Sequence, residues 1–142
     1  MIAYLDTSVL LRWVLDSPDQ LSSAEELAIT RCLSSELLEI EGFRALDALR
    51  LRRGWTRSVL ASRGAKLEEA LAAVELLALS DVVWRRVRDP YPEPMSTLDA
   101  AHLASALLLR DVQGITVDAL LTHDPGLATG ARAFGFRVIG DS

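Results

Sequence analysis

Short β-leaning runs alternate with helical stretches along the whole chain. A chain with that alternation has few ways to bury both kinds of element. Strands joined by helical crossovers pair in parallel, and the helices then cover both faces of the sheet. The expectation is an α/β fold: a single domain over residues 1–142 with a central, mostly parallel sheet and helices on both faces. At 142 residues, half of them hydrophobic, the chain is long enough for one real core. No internal repeat, low-complexity tract or linker divides it.

Ile2 to Leu5 reads as a buried central strand, stopped by Asp6. Val9 to Leu15 follows as a helix that Thr7 or Ser8 can cap. Ala24 to Leu27 adds a helical turn, and Ala28 to Leu33 reads as the second strand. Ser34-Ser35 is placed as the cap of a helix from Glu36 to Arg53, interrupted by Gly42. Gly54 ends that run. A further helix spans Thr56 to about Leu79, although Leu76 to Leu79 fits a short strand instead. Asp81 to Arg88 is a short helix, and the three prolines of Asp89-Pro-Tyr-Pro-Glu-Pro enforce a loop. Thr97 is the expected cap of the Leu98 to Arg110 helix, whose Ala and Leu residues run nearly all round it. Ala119 to Thr122 is a strand, Leu127 to Phe134 a helix, and Phe136 to Ile139 the last strand.

The formal charge of −5 argues against a protein that coats nucleic acid through bulk charge. It leaves a nuclease open, because carboxylates that hold metal count as negative. No apolar run approaches a membrane span, and the start of the chain leaves no room for a signal peptide. Cys32 is the single cysteine, so it reads as a small core residue in a reducing compartment. A cytoplasmic protein is expected.

Four acids occupy odd places for solvated charges. Asp6 ends the first strand, where open α/β sheets bind ligands. Glu41 lies four residues after Leu37, beside the apolar stripe of its helix. Asp99 opens the most hydrophobic helix. Asp124 directly follows the strand Ala119 to Thr122. Each has an ordinary reading as a turn, a helix cap or a surface charge. If they converge, carboxylates about 4 Å apart repel by roughly 4 kcal/mol per pair at an effective dielectric near 20. Such a cluster needs protonation or a cation, and hard oxygen ligands suit Mg²⁺ or Mn²⁺.

These segments carry a family resemblance. Met-Ile-Ala-Tyr-Leu-Asp6-Thr-Ser8 resembles the opening of PIN-domain proteins, especially VapC-type toxins of bacterial toxin–antitoxin pairs. Ser34-Ser35-Glu-Leu-Leu-Glu-Ile-Glu41-Gly-Phe-Arg44 is similar to their second motif. Thr97-Leu-Asp99-Ala-Ala-His102-Leu-Ala-Ser-Ala is similar to the third, and Thr122-His-Asp124-Pro-Gly-Leu to the closing segment. The resemblance implies a metal-dependent endoribonuclease. In it Asp6, Glu41, Asp99 and Asp124 form the acidic quartet that holds one or two Mg²⁺ or Mn²⁺ ions. Ser8 would assist Asp6. It also implies an RNA substrate, a cognate antitoxin that inserts a segment into the acidic site, and a homodimer. Asp118 is a rival for the fourth acid, and Asp124 is preferred because it follows its strand whereas Asp118 precedes it.

Other polar residues have two readings. His102 shares a helix face with Asp99, as an orienting residue or as a hydrogen-bonded core histidine. Arg44 could pair with Glu41 or with a scissile phosphate. Arg50, Arg52, Arg53 and Arg57 surround Trp55, and Arg85, Arg86 and Arg88 follow Trp84. They suit single-stranded RNA by charge and stacking, or are solvated faces beside core rings. The alternative function is a PIN-like RNA- or protein-binding module that does not cut.

Overall fold

The computed structural model describes residues 1–141. Among them are five strands: β1 (Ile2–Leu5), β2 (Arg31–Ser35), β3 (Glu75–Leu77), β4 (Ala119–Leu121) and β5 (Val138–Ile139). Seven helices connect them: α1 (Thr7–Val14), α2 (Ser23–Leu27), α3 (Leu37–Arg53), α4 (Arg57–Ala72), α5 (Asp81–Val87), α6 (Thr97–Asp111) and α7 (Pro125–Ala133). The strand order is β3-β2-β1-β4-β5, and every neighbouring pair is parallel. β1 is central, with Tyr4 in register with Leu33 on one side and Leu120 on the other.

The period-two pleat of the strands sorts the core into two layers. Ala3, Leu5, Ala119 and Leu121 face Val9, Leu10 and Val14 of α1, Leu38 and Leu46 of α3, and Leu67 of α4. Tyr4, Leu33 and Leu120 face Leu103, Ala106 and Leu107 of α6 and Leu127 and Ala131 of α7. Each fully buried leucine contributes about 1.5–3 kcal/mol of transfer free energy. α6 is buried on nearly every face because the sheet, α5 and α7 all pack on it.

Several local expectations shift, each for an identifiable reason. α1 is capped by Asp6 and not by Thr7 or Ser8: the Val9 N–H donates to Asp6 Oδ1 at 3.3 Å. β2 starts at Arg31, because a capping box of Ser22 and Glu25 holds α2 and Ala28 closes that helix. Ser34 and Ser35 therefore belong to the strand. The Ser34 hydroxyl donates to the Leu5 carbonyl at 2.7 Å, and α3 starts at Leu37 with no side-chain cap on Glu36. Gly42 does not interrupt α3. A Cβ there would stand 3.2 Å from both methyl carbons of Leu67, so the glycine lets α4 approach. Gly54, with φ of 62°, ends α3 in the left-handed region. The helix begun at Arg57 stops at Ala72, and residues 75–77 form β3, the alternative allowed for the end of that segment. Ser96 caps α6 in place of Thr97, its hydroxyl accepting the Asp99 N–H at 3.2 Å. β5 starts at Val138, two residues later than expected. Burial pushes the Cys32 thiol up to about 12, and its half-buried side chain packs against the core.

Candidate metal centre at the carboxyl edge

β1 and β4 are neighbours and run the same way, so the residues that follow them emerge side by side. Asp6 follows β1 and is only 5% exposed. Its Oδ1 accepts from the Ser8 hydroxyl at 2.6 Å and its Oδ2 from the Thr122 hydroxyl at 2.6 Å. Burial raises the Asp6 carboxyl above its usual range, and the two hydroxyls offset part of that rise. Ser8 and Thr122 are themselves fixed. Ser8 Oγ accepts the His123 N–H at 2.9 Å, and Thr122 Oγ1 accepts the Asp124 N–H at 2.9 Å. The turn after β4 is thereby tied to the turn after β1.

Asp124 caps α7, its Oδ1 accepting from the N–H groups of Gly126 at 2.8 Å and Leu127 at 3.0 Å. Asp99 lies across from it. A methyl group built on Gly126 would stand 3.1 Å from Asp124 Oδ1 and 3.5 Å from Asp99 Oδ2. Burial raises the Asp99 carboxyl above the usual range, and the negative charges of Asp124 and Asp6 raise it further. Asp6, Asp99 and Asp124 therefore feel one another. The N-terminal ends of α1, α6 and α7 meet at the same edge, and their positive dipole ends offset part of the repulsion.

Glu41, on α3, is held differently. Its Oε1 accepts from the Thr7 hydroxyl at 2.9 Å and lies 2.6 Å from His102 Nε2. Partial burial pushes its carboxyl up, but His102 and Thr7 together outweigh that and hold it below the usual range. His102 is 2% exposed, and its Nδ1 lies 2.9 Å from the Tyr4 hydroxyl.

Among the described residues no Arg or Lys forms an ion pair with Asp6, Asp99, Asp124 or Glu41. Nor, among them, do any three or more Asp, Glu, His or Cys side chains stand close enough together to hold a metal ion as they are placed. The carboxylates of Asp6, Asp99 and Asp124 share one edge and act on one another without closing on a common centre. Their donors are hard oxygens, and the acids that face one another are short of positive charge. That chemistry fits a hard divalent cation.

Other candidate residues sit elsewhere. Asp118 is at the opposite, amino edge of the sheet, where its Oδ2 accepts the Ile2 N–H at 2.6 Å. Arg44 is 75% exposed and pairs with Asp47 at 3.3 Å, not with Glu41. Arg86 stacks over Tyr91 and Phe134 and pairs with Asp89, while Trp55 packs against the core.

Sequence reasoning passed over Tyr4, Thr7 and Thr122. The signals were present. A tyrosine inside a central strand must find a partner for its hydroxyl. Thr122 stands two residues before Asp124, with its strand in register with the one that ends at Asp6.

Among the described residues no helix is long and apolar enough to cross a membrane. A comparison with curated proteins gives no match. The crystal structure of PAE2754 from Pyrobaculum aerophilum is similar in fold, with a TM-score of 0.60 at 16% identity over 97% of this chain and 83% of that one. The profile of the PIN domain matches residues 3–131, which takes in Asp6, Glu41, Asp99 and Asp124, and the chain therefore belongs to the PIN-domain family.

Proposed function

We propose that this protein is a metal-dependent endoribonuclease that hydrolyses RNA phosphodiesters and acts as the toxin of a toxin–antitoxin pair. PIN domains are a family of nucleases that typically bind divalent metal ions. The observation that carries the reading is the meeting of Asp6, Asp99 and Asp124 at one sheet edge with, among the described residues, no Arg or Lys paired to them.

In this reading Asp6, Asp99 and Asp124, with Glu41 beside them, hold one or two Mg²⁺ or Mn²⁺ ions. When bound, the metal supplies Lewis acidity and charge neutralisation for an in-line displacement at phosphorus, leaving a 5′-phosphate and a 3′-hydroxyl. The protein's own part is positioning. Thr122 and Ser8 grip both oxygens of Asp6. Asp124 spends Oδ1 on the α7 cap, which fixes the direction of its carboxylate. Thr7 and His102 grip Oε1 of Glu41. The helix N-termini at this edge favour a phosphate as they favour a carboxylate. The same uncompensated acids would accept a guanidinium from an antitoxin segment, which would block the site. A homodimer in the cytoplasm completes the reading.

The test is cleavage of a structured RNA pool by the purified, partner-free protein, with cut sites mapped by end sequencing. Mg²⁺ or Mn²⁺, chelator, Asp6→Ala and Asp99→Ala form the comparison. Cuts that need metal and vanish in both variants support the nuclease. Cuts that survive both substitutions overturn it. A folded, metal-loaded protein that binds RNA without cutting would be the binding module instead.

A further inference from the structure

One layer beneath the acids lies a buried polar chain. Tyr4 is on β1, two residues before Asp6, which continues the extended backbone just past the strand, so both lie toward the same side. His102 is three residues after Asp99 on α6, so it lies one turn deeper on the same helix face. Tyr4 is fully buried and His102 nearly so. Their rings meet edge to face, with centroids 5.9 Å apart. A phenol and an imidazole cost free energy in a core unless their polar atoms are paired. Here they are paired with each other, and the chain ends on Glu41.

The direction of the hydrogen bonds follows from the partners. A carboxylate only accepts, so His102 Nε2 carries the proton that Glu41 Oε1 receives. With the ring proton on Nε2, Nδ1 is left as the acceptor, and the Tyr4 hydroxyl 2.9 Å away donates to it. Thr7 donates to the same Oε1. Among the described residues no hydrogen bond reaches the second oxygen, Oε2.

We propose that Tyr4 and His102 are positioning residues for Glu41, a hydrogen-bonded chain from the central strand that clamps one carboxylate oxygen and leaves the other free for the metal site. The proposal rests on the metal-dependent nuclease reading. Neither residue touches substrate. Their effect is to remove the rotational freedom of a long side chain that arrives from a different helix, α3, than the other acids.

The experiment is Mn²⁺ binding to the full, folded chain, read from the free-ion electron paramagnetic resonance signal, with kcat and KM measured on a cleaved RNA. The variants are Tyr4→Phe, His102→Asn, His102→Gln, Glu41→Gln and Asp6→Asn. Tyr4→Phe keeps the ring and removes only the hydroxyl, so it decides the matter if His102→Asn fails to fold. The expected result is that Tyr4→Phe, His102→Asn and Glu41→Gln each weaken Mn²⁺ binding by about 10-fold or more. Their kcat should fall while KM for RNA holds. His102→Gln, whose amide N–H can stand in for Nε2, should recover part of the affinity. If Glu41→Gln weakens binding while Tyr4→Phe and His102→Asn bind like the unsubstituted protein, the clamp is overturned and the nuclease reading stands. If Glu41→Gln and Asp6→Asn both leave Mn²⁺ binding unchanged, the metal reading falls and the clamp falls with it.

Discussion

The two edges of the sheet treat their acids in opposite ways. At the amino edge Glu75 is gripped by the Arg31 guanidinium through two hydrogen bonds of 2.6 and 2.9 Å, and Asp118 accepts the Ile2 N–H. Arg31 holds the Glu75 carboxyl below its usual range. At the carboxyl edge Asp6 and Asp99 are raised above theirs, by burial first. Their partners are neutral hydroxyls, backbone N–H groups and one another. Acids that only had to hold the fold together would be paired as at the amino edge. The contrast identifies the carboxyl edge as the place where the fold tolerates unfavourable charge.

The sharpest way to break this comparison is to remove Asp6. Asp6→Asn keeps the size of the side chain and should lower RNA cleavage by about 10³-fold, the order seen when a group that stabilises reacting charge is lost. It should also abolish the rise in melting temperature on adding Mn²⁺. A ligand at 100 times its dissociation constant stabilises by about 2.7 kcal/mol. Calorimetry with and without metal checks this, and an unchanged Mn²⁺ shift would remove Asp6 from the metal site.

Gly126→Ala probes the space between Asp99 and Asp124. The new methyl would press on Asp124 Oδ1, which cannot swing away without giving up the α7 cap. Metal affinity and cleavage should fall about 10-fold. The helix itself should not suffer, because Gly126 has no need of glycine's backbone freedom in the first turn of α7 and Ala is the better helix former. Titration with Mn²⁺ beside a thermal melt separates the two effects.

A smaller effect is the pH dependence of the metal-free protein. A carboxyl raised in the folded state contributes stability that is complete below its unfolded value, about pH 4. That contribution is lost as pH rises through the raised value. Asp6 and Asp99 therefore favour the fold at mildly acidic pH and work against it at neutral pH. Glu75 has the opposite sign, since its contribution is present at neutral pH and lost as acid reaches its lowered value. Melts in chelator across pH 5 to 8 should show Asp99→Asn raising the melting temperature at neutral pH by roughly 3 °C and flattening the slope. Least of all, Asp118→Ala should cost about 1 kcal/mol or less through the lost Ile2 N–H partner, with cleavage rates unchanged. A loss of cleavage there would mean that the amino edge is not merely structural.

Much of this architecture was legible in the amino-acid order, and the exceptions have physical causes. The bounds of β1 could be read directly, because a run of four apolar and aromatic residues ends on an aspartate. So could the alternation that makes the sheet parallel. β2 was misplaced because Ser34 and Ser35 look like helix caps: Ser34 Oγ is spent on the Leu5 carbonyl, while Ser35, from the strand end, does serve the helix by accepting the Leu37 N–H at 3.2 Å. Gly42 looked like a break because the reason for it, Leu67, lies on another helix. The edge that holds Asp6 and Asp124 followed from strand direction alone, as did the placing of Asp118 at the far end. The clamp on Glu41 did not. It depends on where α3 and α6 cross β1, and no spacing within one segment encodes that crossing.

The hydrogen bond between Thr122 and Asp6 joins residues 116 positions apart. A chain leaving the ribosome carries Asp6, Glu41 and Asp99 well before the partners that gather them. Until Thr122 has emerged, the second oxygen of Asp6 has no hydroxyl to hold it, and until Asp124 has emerged there is no α7 cap to face Asp99. The acidic centre therefore cannot be assembled on the nascent chain before both of these residues are free to fold back onto β1 and α6.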